Sequence, residues 1–204
     1  MTENQTYLSN GESSSNNSNN ENLPKEDSSK KTGKALKIVN ICLIALIILL
    51  VAMLIIFQFV LTPMTIVGES MENTLKDKDK VFVQKVAYKL TYGDIVVFKR
   101  PGAKEPPIKR VIGMAGDNIK FDQNRKLWLR NDIVIEEDYI KEKAYISAYF
   151  YQAEDMKKAL TTVGVTVGQD ELFVLGDNRN NSYDSHVYGA IKQDWIVGKY
   201  IGKF

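Results

Sequence analysis

The sequence predicts an all-β domain of antiparallel sheets carried behind one N-terminal transmembrane helix. Three observations predict it. One long apolar run lies near the start of the chain, and short Val-, Ile- and Phe-rich runs separated by Gly, Asn and Asp turns follow it. Only one later stretch has a helical pattern. A length of 204 residues leaves room for one globular domain plus such extras.

Residues 1–37 read as a disordered, basic, cytoplasmic tail. Asn16-Asn17-Ser18-Asn19-Asn20 is typical of it, with too little apolar content to offset the entropy of ordering. Asn16-Asn17-Ser18 also fits a glycosylation triplet, which on the cytoplasmic side is a chance match. Lys30, Lys31, Lys34 and Lys37 precede residues 38–61, where Asn40 and Gln58 are the clearly polar side chains. As a helix this run reaches roughly 36 Å at ~1.5 Å per residue, enough to cross a hydrocarbon core about 30 Å thick with some tilt. A buried soluble helix would carry a polar stripe, and residues 43–57 have none. A cleaved signal peptide would end on small residues, whereas this run ends Gln58-Phe59-Val60-Leu61. Four lysines stand before the span, and residues 62–69 contain no base. The N-terminus is therefore expected in the cytoplasm, with residues 62–204 forming a domain on the far side of the membrane.

In that domain Val81-Phe82-Val83, Ile95-Val96-Val97-Phe98, residues 126–130, Ile133-Val134-Ile135 and Leu172-Phe173-Val174-Leu175 favour strands. Gly93-Asp94, Pro101-Gly102, Gly116-Asp117-Asn118, Asn131-Asp132 and Gly176-Asp177-Asn178 favour the turns between them. This spacing suits an antiparallel sheet or barrel better than βαβ units. A helix is expected over residues 152–160, and no internal repeat is visible.

A formal charge of +2, with acids and bases interleaved, reads as a solvated surface and gives no reason to expect a nucleic-acid partner. Cys42 is the one cysteine and His186 the one histidine, so neither an internal disulfide nor a Cys/His zinc site can be assembled. Nothing calls for a metal or an organic cofactor.

Two nucleophilic arrangements are open. His186 follows Asp184-Ser185, but triad members usually meet through folding rather than adjacency, and a hydrogen-bonded histidine in a polar loop is the plainer reading. A serine–lysine pair needs a lysine that is neutral near pH 7, hence one set in apolar surroundings or beside another cation. Lys109 lies in Pro107-Ile108-Lys109-Arg110-Val111-Ile112-Gly113. On a strand it shares a face with Val111, while Arg110 points to the other. Ser70 lies in Thr65-Ile66-Val67-Gly68-Glu69-Ser70-Met71, shortly after the span, where Gly68 would let a substrate backbone approach. Residues 176–185 form a long run of loop-type residues after an apolar strand. They read either as an elaborate turn or as a hydrogen-bonded loop supporting a site.

Taken in order, Gly68-Glu69-Ser70-Met71, Gly93-Asp94-Ile95-Val96-Val97-Phe98, Ile108-Lys109-Arg110-Val111-Ile112-Gly113 and residues 176–185 resemble the type I signal peptidases of bacteria. The resemblance runs from the span to the C-terminus. It implies an all-β extracytoplasmic catalytic domain that removes signal peptides from exported precursors, with the lipid bilayer and those precursors as partners. It makes Ser70 the nucleophile and Lys109 the general base. Ser182 would hold the lysine amine, and Asp184 would brace the site by pairing with Arg110, while Gly176, Asp177 and Asn178 shape the loop. Ile66, Val67, Gly68, Met71, Leu75 and Ile108 fall where the family lines its cleft, which prefers small residues one and three positions before the cut.

The chain departs from the family at three positions. Gly68 replaces a serine that some members use toward the oxyanion, Asn73 stands where proline is usual, and His186 where arginine is common. No family motif covers residues 139–168. These differences suggest a specialised member with a narrow client set, such as pilus or surface-protein precursors. Two other readings are a catalytically silent relative serving assembly or chaperoning, and a self-cleaving serine–lysine repressor. Retention of Ser70 and Lys109 counts against the first. The span and the absence of a DNA-binding segment count against the second.

Overall fold

The computed structural model describes residues 28–72, 74–140 and 153–204. Packing separates the chain into a unit ending at Leu50 and a unit of Val51–Phe204. A helix, α1 (Ser28–Val60), makes up the described part of the first unit and continues into the second. It begins well before the apolar run, because Lys34, Ala35, Leu36 and Lys37 are good helix formers and backbone hydrogen bonding does not require apolar side chains. It ends one residue short of the expected limit, since Leu61 opens a strand. The stretch Gly33–Val60 is long and apolar enough to cross a membrane, and its most apolar window has no buried residue. Leu36, Ile41 and Leu49 are each more than 60% exposed. Burying side chains of this kind in protein or lipid is strongly favourable, and this helix does not bury them in protein.

The second unit is built on two antiparallel sheets. The larger has seven strands in the order β1 (Leu61–Thr65), β2 (Lys80–Gln84), β11 (Ile196–Lys203), β3 (Ile95–Phe98), β4 (Ile108–Gly113), β9 (Glu171–Leu175), β10 (Ile191–Lys192). The smaller runs β7 (Ile133–Val134), β6 (Leu127–Arg130), β5 (Asn118–Asp122), β8 (Val165–Thr166). Every pairing is antiparallel. The five strand-favouring runs all became strands. A helix, α2 (Glu154–Thr161), occupies most of the expected helical stretch, whose first residue, Gln152, lies outside the described residues. A short helix, α3 (Ser185–Tyr188), begins at the last residue of the polar loop.

The continuous apolar run of β3 follows from burial on both faces of the large sheet. Val96 and Phe98 pack with Val111, Leu172, Val174 and Ile191, whereas Ile95 and Val97 pack on the other face with Ile66, Met71, Leu75, Val81, Val83 and Ile108. A third cluster, around Trp128, Leu160 and Phe173, joins α2 and β9 to the small sheet. The middle of β4 pairs with β3 on one side and β9 on the other. The end of β9, where the chain enters the polar loop, is thereby placed next to Lys109 and Arg110.

Candidate active site

Three segments meet at the edge of the core: the turn following β1, the first residues of β4, and the loop after β9. The turn is a single helical bend. Glu72 N–H donates to the Glu69 carbonyl at 3.0 Å, and Thr74 and Leu75 N–H both donate to the Met71 carbonyl, at 2.8 and 2.6 Å. Met71 and Leu75 are driven into the core by this bend, leaving Ser70 half-buried above them. Lys109 is 4% exposed. Its Nζ lies 2.6 Å from Ser70 Oγ and donates to the Ile108 carbonyl at 2.9 Å. Burial of the amine lowers the Lys109 pKa from 10.5 to about 8, although Asp184 and Asp177 pull in the opposite direction.

The loop after β9 is fastened directly to the Ser70 turn. Asn178 N–H donates to the Ser70 carbonyl at 3.0 Å, and its side-chain amide donates to the Glu69 carbonyl at 3.1 Å. Asp177 N–H points at Met71 Sδ, 3.4 Å away. Asp177 takes a bidentate bond from Arg110, Nε to Oδ1 at 2.8 Å and Nη2 to Oδ2 at 2.6 Å, and also accepts the Thr74 hydroxyl. The pairing of Arg110 with Asp184 is therefore corrected: its partner is Asp177, which leaves the end of β9 beside β4.

Asp184 serves a different group. Its Oδ2 accepts the Gly176 N–H at 2.8 Å and the Ser182 hydroxyl at 2.5 Å, and its Oδ1 lies 2.5 Å from His186 Nδ1. Burial alone would raise the Asp184 pKa, but His186 and these donors hold it down at about 2. Asp184 also caps α3 by accepting the His186 N–H. The imidazole is thus turned to Asp184, and it is Lys109 that reaches Ser70. A hydroxyl that gives its proton to Asp184 offers a neighbour only lone pairs, so toward an amine Ser182 can only accept.

Ile66, Met71, Leu75 and Ile108 lie together in one buried apolar cluster, whereas Val67 is 67% exposed and Gly68 also lies at the surface. The Gly68 N–H is held by Asp77 Oδ1 at 2.9 Å. Gly68, Glu69, Ser70, Asp77, Asn181 and Tyr183 line an open depression beside the serine. Asn73 and residues 141–152 of the uncovered segment lie outside the described residues. No group of acids, histidine and cysteine able to hold a metal occurs among the described residues. The sequence reading missed Thr74, Glu137 and Arg179. Arg179 lies inside a loop already singled out, but nothing local marks Glu137 apart from Glu136 and Asp138.

A serine hydroxyl bonded to a buried amine of lowered proton affinity has the chemistry of a hydrolase that forms acyl-enzymes. Residues 37–204 match the family described as signal peptidase, peptidase S26. Signal peptidase IB of Staphylococcus aureus (strain COL) is 38% identical over 161 residues, spanning 74% of this chain and 82% of that protein. A probable signal peptidase I-2 of Synechocystis is 34% identical over 155 residues, or 72% of this chain and 64% of that one. A crystal structure of a signal peptidase I from Enterococcus faecalis aligns with a TM-score of 0.42 at 25% identity, covering 56% of this chain and 98% of that chain. The chain belongs to the S26 signal peptidase family. It is a membrane-anchored serine endopeptidase with type I signal peptidase function.

Proposed function

We propose that Ser70 and Lys109 carry the reaction, and that the substrates are the signal peptides of exported precursors, cut on the far side of a membrane from the N-terminus. The observation that carries this reading is the 2.6 Å contact between the Ser70 hydroxyl and a lysine buried enough to lose its proton near pH 8. Neutral Lys109 takes the Ser70 proton as Oγ attacks the scissile carbonyl. The backbone N–H at Ser70 serves as a donor to the oxyanion. Collapse of the intermediate breaks the C–N bond as Lys109 returns the proton to the departing amine, and water then releases the acyl group by the same route. Ser182 and Asp184 orient the amine, and Arg110, Asp177, Asn178 and Gly176 fix the loop against the Ser70 turn.

The substrate adds as an extended strand beside residues 66–68 and 107–108. Val67 and Gly68 flank that strand at the surface, over the buried apolar cluster of Ile66, Met71, Leu75 and Ile108, where small side chains one and three positions before the cut are expected to fit. The orientation rests on Lys30, Lys31, Lys34 and Lys37 before the span and the lack of bases in residues 62–69. The test is cleavage of an exported precursor by the purified protein beside Ser70→Ala and Lys109→Ala. Each substitution should lower the rate by at least roughly a thousandfold. Cleavage surviving both would overturn the pair. A parent protein inert toward several precursors would favour a silent assembly or chaperone factor.

A further inference from the structure

Gly176 is the residue on which the Ser70 turn leans. A Cβ there would strike both the Ser70 carbonyl oxygen and the Ser182 hydroxyl, so the position of this peptide sets the space that the nucleophile's backbone can occupy. Both of its polar groups are held. Its N–H is given to Asp184, and its carbonyl accepts Arg179 Nε at 2.9 Å. Arg179 is only 6% exposed, and a guanidinium taken so far from water needs a countercharge. Glu137 supplies it in a two-pronged pair, with Nη1 to Oε2 at 2.8 Å and Nη2 to Oε1 at 2.5 Å.

The segment that carries Glu137 also serves the neighbouring residue of the loop, Asp177. Glu137 Oε1 accepts the Tyr139 hydroxyl at 2.7 Å, and the Tyr139 ring lies 3.9 Å from the guanidinium carbon of Arg110, the arginine that holds Asp177. Residues 176 and 177 are therefore each gripped by an arginine, and both arginines rest on residues 137–139. We propose that Glu137 is a positioning residue for the reaction, acting through Arg179 on the Gly176 peptide and so on the placement of Ser70. The proposal rests on the Ser70–Lys109 reading and extends it to a segment beyond the family motifs.

A buried ion pair can also be purely structural, so the test must separate the two roles. Full-length protein in detergent would be assayed for kcat and KM on a signal-peptide substrate, with Tm measured alongside, as Glu137→Gln, Glu137→Ala and Arg179→Lys. Small displacements at a reacting centre cost up to roughly a hundredfold in rate. Glu137→Ala should lower kcat by about that order. Glu137→Gln, which keeps an acceptor for Arg179, should recover part of the loss. Arg179→Lys keeps the charge but cannot span Glu137 and the Gly176 carbonyl together, and should resemble Glu137→Ala. KM should move less than about threefold in all three, because the substrate strand lies on other residues. Should Glu137→Ala not fold, Arg179→Lys and Glu137→Gln decide the matter.

A kcat within twofold of the parent in folded Arg179→Lys and Glu137→Gln, whatever their Tm, would overturn the proposal, as would a loss confined to KM. Ser70→Ala run in parallel keeps the failures distinct. Activity surviving that substitution removes the pair, while an inert Ser70→Ala beside an unaffected Arg179→Lys removes only the clamp.

Discussion

At Lys109 the cost of burying a charge and the lowered proton affinity that the proposed mechanism requires are the same quantity. The amine binds its proton with a pKa of about 8 in the folded protein against 10.5 for the ordinary side chain. Below pH 8 both folded and unfolded chains hold the proton, and the folded one carries the desolvation penalty, of order 3 kcal/mol. Between pH 8 and 10.5 the folded protein has released its proton while the unfolded chain still binds one. Stability therefore rises with pH through that window. Lys109→Met should accordingly be more stable than the parent at pH 7, by up to about 3 kcal/mol in urea unfolding, and the gain should shrink toward zero near pH 10.5. With the neutral amine as base, kcat/KM should climb about tenfold per pH unit up to pH 8 and then level off. A flat profile below pH 8 would remove Lys109 as the base. Gly68 has a comparably local explanation. Its φ of +93° lies where side chains are strained, although nothing stands within 4 Å of a Cβ placed there. Gly68→Ser should cost about 1–2 kcal/mol in chemical denaturation from backbone strain alone.

At the scale of elements, what was legible depended on whether a segment's own residues carried the signal. Ile95-Val96-Val97-Phe98 and Leu172-Phe173-Val174-Leu175 are strands buried on both faces, so their composition sufficed. β11 escaped notice because Gly198, Lys199 and Gly202 interrupt its apolar pattern, although it lies between β2 and β3. β1 escaped because it adjoins the span and contains Pro63, which an edge strand tolerates since one side of it needs no donor. The partners of Arg110 could not be read at all. Asp177 and Asp184 share one loop, and only the register of β4 on β9, with Arg110 opposite Leu175, brings the first to the guanidinium. Ser70 and Lys109 could be singled out because the proposed chemistry restricts residue type, and they do lie 2.6 Å apart, whereas Glu137 meets its partner Arg179 across 42 residues of sequence. The role of β11 gives a direct prediction. A Cβ at Gly198 would meet the Gln84 carbonyl oxygen and lie 2.6 Å from a Val83 methyl. Gly198→Ala should therefore lower the unfolding free energy measured in urea by about 1–3 kcal/mol, while Gly202→Ala, with open space at its Cβ, should cost little.

At the scale of the whole molecule, the anchor and the enzyme draw on different sources of stability. The most apolar window of α1 has no buried residue, whereas the strands of the Val51–Phe204 unit are stabilised by buried apolar clusters. The Phe57 ring meets Phe82 edge-on at 6.3 Å, and the Val60 carbonyl accepts the Lys85 N–H at 2.9 Å. A chain beginning at Phe57 keeps both ties and all of β1, whose five pairs with β2 close that edge of the large sheet. It should fold with a Tm within a few degrees of the full-length protein in detergent and cleave short soluble peptides at a similar kcat. Its rate on precursors embedded in vesicles should fall by about two orders of magnitude, because tethering raises the local concentration of enzyme over substrate in the same bilayer. Equal loss on soluble peptides and on embedded precursors would mean that the helix supports the site itself. Equal rates on both would mean that presentation at the membrane contributes nothing to turnover.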